Sequence, residues 1–127
     1  MPVWSVSPVE QEPSTTLVSW QVWELPDGDR HLAGWAVEAQ EGRVCSAVQS
    51  FDVARLRAVT RSGRVYQLEG RPGVDTQGAY VWQRWLAIHN EPAGKDVTDS
   101  VWGEHVDAVR QQETRVVQAV NPRDEHA

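Results

Sequence analysis

The chain is short of several things, and each shortage removes a class of protein. One cysteine, Cys45, among 127 residues cannot close an internal disulfide, so packing must hold the fold together. No stretch approaches the roughly 18 apolar residues of a membrane-spanning helix, so no membrane partner is expected. The opening Met1-Pro2-Val3-Trp4-Ser5 lacks the basic end and apolar run of a signal peptide, which makes the cytoplasm the expected compartment. Lysine is nearly absent, one against eleven arginines, and basic residues are outnumbered twelve to eighteen for a net charge of −6. That balance favours solubility and disfavours nucleic acid as a partner.

The motifs of common chemistries are missing too. The sequence contains no GxxxxGK[ST] phosphate loop, no GxGxxG, no HExxH, no paired CxxC and no GxSxG elbow. Four scattered histidines and one cysteine do not supply a zinc-type ligand set, so neither metal nor cofactor is expected. Asp99, His105 and Asp107 come nearest to an acid–base cluster. On a helix, however, neither carboxylate stands three or four residues from His105. Cys45 sits in an apolar strand and reads as a small core residue. These observations predict a protein that is not an enzyme.

What is present is the material of a single domain, with a hydrophobic share of 40% before glycine is counted. Residues 1–16 hold three prolines and little periodicity and read as a flexible arm, 17–120 as one globular unit, and 121–127 as a disordered tail. From Leu17 the pattern has the period of strands: Leu17–Leu25, His31–Ala39, Arg43–Phe51, Leu56–Thr60 and Val65–Glu69. Turn chemistry at Pro26-Asp27-Gly28-Asp29, Glu41-Gly42 and Arg61-Ser62-Gly63-Arg64 separates them. Short links between neighbours predict a five-stranded antiparallel meander.

After Asp75 the period changes, and Gln77–His89 reads as a helix with Trp82, Trp85 and Leu86 on its buried face, stopped by Asn90-Glu91-Pro92. Val101, Trp102, His105, Val106, Val109, Val116, Val117 and Val120 recur at steps of three and four, giving a second helix over Asp99–Val120. Glu113 interrupts its stripe, and the β-branched run Arg115–Val120 offers a terminal strand as the competing reading. The expected fold is α+β: the meander, one helix packed on it and a second C-terminal helix, or alternatively a strongly bent sheet approaching a small barrel with a helix plugging one end. The expected core is Trp20 or Trp23, Trp35, Val37, Val44, Val48, Leu56, Tyr66, Leu68, Trp82, Trp85, Leu86, Trp102, Val106 and Val109.

Two surpluses bear on function. Between Arg55 and Arg71 five arginines face one glutamate, a local charge of +4, whereas Thr15–Ala54 sums to −4. Arg61 and Arg64 flank a hairpin tip, with Arg57 and Arg71 nearby, where rigid guanidinium donors could meet carboxylates or phosphates. Solvent-facing salt bridges are the plainer role for them. Seven tryptophans exceed ordinary usage, and Trp20 and Trp23, three apart, must face opposite sides of a regular strand. The expected binding surface therefore combines Arg61, Arg64, Arg57 and Arg71 with Trp23, Trp4 and Trp102.

The expected function is non-catalytic: protein–protein interaction or inhibitor-type binding, with another protein or a second copy as partner. The alternatives are a small-ligand or enzymatic pocket between sheet and helix, using Tyr66, His89 or His105, and an acidic nucleic-acid mimic that inhibits a bacterial defence nuclease.

Overall fold

The computed structural model describes residues 8–120. Its elements are β1 (Ser14–Glu24), β2 (Arg30–Ala36), β3 (Glu41–Val44), β4 (Val48–Asp52), β5 (Arg57–Thr60), β6 (Val65–Leu68), α1 (Thr76–Ile88), β7 (Lys95–Asp96) and α2 (Thr98–Val120). The α+β composition is as expected, but the five-stranded antiparallel meander is not. One seven-stranded mixed sheet runs β3-β2-β1-β6-β5-β4, with β7 paired to β1.

The difference comes from β1, which is central rather than an edge. Its first residues, Ser14–Leu17, run parallel to Val65–Leu68 of β6, while Leu17–Glu24 runs antiparallel to β2. The parallel pairing needs a crossover of several elements, and a period-two pattern does not reveal it. The expected third strand, Arg43–Phe51, is two strands broken at Cys45-Ser46-Ala47. These halves are opposite edges of the sheet. Six flat strands would put those edges about 24 Å apart, whereas three linking residues reach about 14 Å. The sheet must therefore curl, and bonds from Cys45 N to Leu32 O and from Arg61 N to Ala47 O stitch the link down on both sides.

A bulge in β1 settles which indole goes where. Ser19 has φ 48°, and the pairing with β2 slips between Val18 and Gln21. One inserted residue lets Leu17 and Trp20 point to the same side, although they are three apart. Inside the curl lie Leu17, Trp20, Leu32, Cys45, Leu56, Tyr66 and Leu68, joined by Val97, just before α2, and Val101 near its start. Trp20 is fully buried and donates from Nε1 to Gly70 O at 3.2 Å. Outside lies a second layer: Trp23, Leu25, Ala33 and Val44 against Trp82, Trp85 and Leu86 of α1.

Helix α1 starts where Asp75 Oδ2 accepts the Gly78 N–H at 2.7 Å and ends at Ile88, with the chain turning away through Asn90 at φ 53°. Its close seat on β2 and β3 depends on glycine. A Cβ on Gly78 would lie 2.9 Å from Gly34 Cα, and one on Gly42 would lie 2.7 Å from Gly78 N. Helix α2 is unbroken through the segment that competed as a strand. Its start is fastened to β1, since Val22 N donates to Thr98 Oγ1 at 2.9 Å and Val97 N donates to Val22 O at 2.9 Å. Val37, expected in the core, is 44% exposed because β2 ends at Ala36 and the chain turns. Trp35, Val44, Val48, Trp85, Trp102, Val106 and Val109 are half-buried.

Candidate functional sites

The arginines expected at one surface are divided between surface and interior. Arg61 is exposed at the β5–β6 tip and pairs with Asp29 at 3.2 Å. Arg64, on the other side of the same tip, turns inward and its side chain is only 7% exposed. Arg57 lies at the opposite end of β5, with Nε donating to Gln67 Oε1 at 3.3 Å, and Arg71 is exposed beyond β6. The companion of Arg64 is therefore not Arg61, as expected, but Arg43, a β3 residue whose side chain is 2% exposed.

Arg43 and Arg64 converge on Glu12. Arg43 Nη1 donates to Glu12 Oε2 at 2.7 Å, and Arg64 Nε donates to the Glu12 carbonyl at 2.8 Å. Glu41 accepts from Arg43 Nη2 at 3.0 Å, and Thr15 Oγ1 donates to Glu12 Oε2 at 3.0 Å. Burial alone would raise the Glu12 carboxyl, but hydrogen bonds from Arg43 and Thr15 and the charges of both arginines outweigh it and hold it below the usual range. Burial pushes the Tyr66 phenol up, so it stays protonated beside the two guanidiniums.

This cluster forms the floor of a cleft of about 470 Å³ between β3, the β5–β6 tip and the second half of α1. Val44, Trp85 and Ile88 supply its apolar walls, and Ser46, Ser62 and His89 also line it. Tyr66 and His89, named from the sequence as pocket residues, are thus brought together here. His105 lies elsewhere, with Nδ1 donating to Val53 O at 2.8 Å. His89 donates from Nδ1 to Trp85 O at 2.9 Å rather than to a carboxylate. Cys45 also borders the cleft, but its sulfur accepts the Leu32 N–H at 3.1 Å and burial pushes the thiol up to about 12, so it is a poor nucleophile.

Five of the tryptophans form two groups. Trp23 stacks on Trp82 at 5.5 Å, Trp82 on Trp85 at 5.4 Å, and Trp85 on His89 at 4.1 Å. Trp23 and Trp82 bury their indole N–H groups without an acceptor, a cost the stacked packing must offset. Trp102 packs against Trp20 at 6.2 Å, tilted, where α2 closes one end of the curl. Trp4 lies outside the described residues.

Beyond Val109, α2 leaves the body of the protein. Every residue from Arg110 to Val117 is exposed, including Val116 at 63% and Val117 at 52%. Trp102, Val106 and Val109 border a shallow groove along the helix with His105, Arg110 and Glu113. Among the described residues no group of three or more histidines, cysteines, aspartates or glutamates is placed to hold a metal, and no helix is long and apolar enough to cross a membrane.

Fold and sites together define an α+β protein with a curled mixed sheet, a stacked tryptophan layer and two helices. No known protein family, curated protein or solved structure matches the chain.

Proposed function

We propose that the protein is a non-catalytic binding module that works through the projecting part of α2, and that the occupant of this surface is a second copy of the chain. The observation that carries this is a stripe along α2 that is half-buried at Trp102, Val106 and Val109 and exposed at Glu113 and Val116. Trp102, Val106, Val109, Glu113 and Val116 recur at alternating steps of four and three, the spacing of a two-heptad seam, on a helix of 23 residues or about 34 Å.

Charge selects the occupant and its direction. In a parallel pair the two Glu113 carboxylates would share one layer and repel. In an antiparallel pair that sets Val106 against Val116 of the other copy, Glu113 meets Val109 and the neighbouring Arg110 twice over, by symmetry. Arg110 and Glu113 are both exposed and can make these contacts. Two heptads bury little area, so the dimer is expected in the micromolar range rather than the nanomolar.

Sedimentation velocity over a concentration series tests the reading. The parent chain is expected to pass from monomer to dimer, and Val116→Asp to remain monomeric with its unfolding temperature unchanged. A parent chain that stays monomeric to about 200 µM, roughly tenfold or more above such a dissociation constant, would remove the proposal.

A further inference from the structure

We infer that the cleft floored by Arg43, Arg64 and Tyr66 is a separate binding site, and that its ligand is a small organic monocarboxylate with an apolar body. The cleft lining includes two guanidiniums, a phenol and an imidazole but no aspartate or glutamate. Glu12 and Glu41, which hold the guanidiniums in place at 2.7 and 3.0 Å, are not part of that lining. The carboxylates that hold the arginines thus lie outside the cleft, and the charged side chains that line it are the two guanidiniums, 2% and 7% exposed at its floor. Guanidiniums fixed in advance cost little ordering when an anion arrives.

Two further features narrow the ligand. Glu12 and Glu41 already offset the two positive charges, so a single negative charge suits the cluster better than the double charge of a phosphate monoester. Val44, the Trp85 edge and Ile88, itself half exposed, give the cleft apolar walls that a bare inorganic anion would leave wet. At about 470 Å³ the space lies in the ordinary range for small-molecule sites.

The test uses phenylacetate as probe, phenylacetamide as its uncharged counterpart and inorganic phosphate as the plain anion. Each is titrated into isotope-labelled full-length protein while the Trp85 indole and the Ser46 and Ser62 amide resonances are followed. Phenylacetate is expected to shift these resonances saturably below about 10 mM, with phenylacetamide at least tenfold weaker and phosphate without saturation.

Ser62→Asp places a carboxylate at the cleft rim on an exposed turn that aspartate suits, and Ile88→Glu does so on the opposite wall. Each is expected to weaken phenylacetate at least tenfold without lowering the unfolding temperature by more than a few degrees. No saturable shift, equal affinity for acid and amide, saturation by phosphate at these resonances, or unchanged affinity in both folded variants would overturn the assignment.

Discussion

The same substitution, glycine to alanine, should have opposite signs in the two helices. In a free helix alanine is favoured over glycine by about 1 kcal/mol, because glycine loses more backbone freedom on folding. Gly103, in α2, has nothing within 4 Å of where its Cβ would be, so Gly103→Ala is expected to stabilise by about 0.5–1 kcal/mol. Gly78, in α1, faces Gly34: its Cβ would lie 2.9 Å from Gly34 Cα, N and O alike. Those atoms are backbone and cannot rotate aside, so α1 must move off the sheet. Overpacking of this kind costs about 3 kcal/mol at the upper end, and subtracting the gain in helix propensity leaves a net loss of about 2 kcal/mol. For a domain of this size the loss lowers the unfolding temperature by about 6–10 °C, whereas Gly103→Ala raises it by a few degrees. Thermal unfolding followed by circular dichroism measures both, and the near-ultraviolet signal of the Trp23–Trp82–Trp85 stack should weaken in Gly78→Ala even before heating. If Gly78→Ala raises the unfolding temperature as Gly103→Ala does, α1 is not seated through glycine and the outer layer described above is wrong.

Other expectations concern the charges and the thiol. Glu12→Gln should destabilise by about 2 kcal/mol, since Arg43 and Arg64 lose a carboxylate while Glu41 stays. Because the folded Glu12 carboxyl lies below its ordinary 4.5, its contribution is complete above that pH and disappears as pH falls through the lower folded value; the acid limb of a stability–pH curve should flatten in Glu12→Gln. Arg61→Ala, which removes an exposed pair with Asp29, should change stability by less than about 0.5 kcal/mol, whereas Arg64→Ala should cost several times more; chemical denaturation separates them. Cys45 should resist iodoacetamide at pH 8 in the native state and react promptly once urea unfolds the chain, as mass measurement would show.

Local signals in the sequence were enough for local structure. Gly28 and Gly63 take positive φ at the two hairpin turns where turn chemistry had placed them, and the Asp75 cap and Pro92 stop bracket α1. What depends on distant partners was not legible. Alternation in β1 says which residues share a side, but not that β6 will lie alongside it, and β7 is two residues long and takes its identity from Trp23 and Glu24. The bulge at Ser19 defeats the alternation itself, because a serine at positive φ leaves no mark in the pattern. In the sequence Arg43 stands only as the first residue of the expected third strand. Its burial is intelligible only with Glu12, 31 positions earlier in a segment that reads as a loose arm. Arg61 and Arg64 do flank the tip, but only Arg61 points outward: flanking a turn fixes position along the strand, and a neighbouring acceptor decides which way a long side chain goes.

The excess of tryptophan has its explanation mostly inside the fold, and that changes where binding must be sought. A small curled sheet leaves two apolar sides to cover, the interior of the curl and the outer side of β2 and β3. Trp20 with Trp102 fills one, and Trp23, Trp82 and Trp85 fill the other. With the large rings committed, the exposed apolar groups that remain on α2 are valines, on a helix whose start is bonded to β1, whose His105 is bonded to Val53 O, and which is exposed from Arg110 to Val117. A helix fixed at one end and bare beyond is rigid enough to present a stripe at little ordering cost, which is what a short seam needs if it is to hold at all. Losing Trp102 would therefore harm both roles, since its ring belongs at once to the plug of the curl and to the root of the stripe. Val116, fourteen residues further on, touches only the second role. A variant there separates folding from association, and Trp102→Ala cannot.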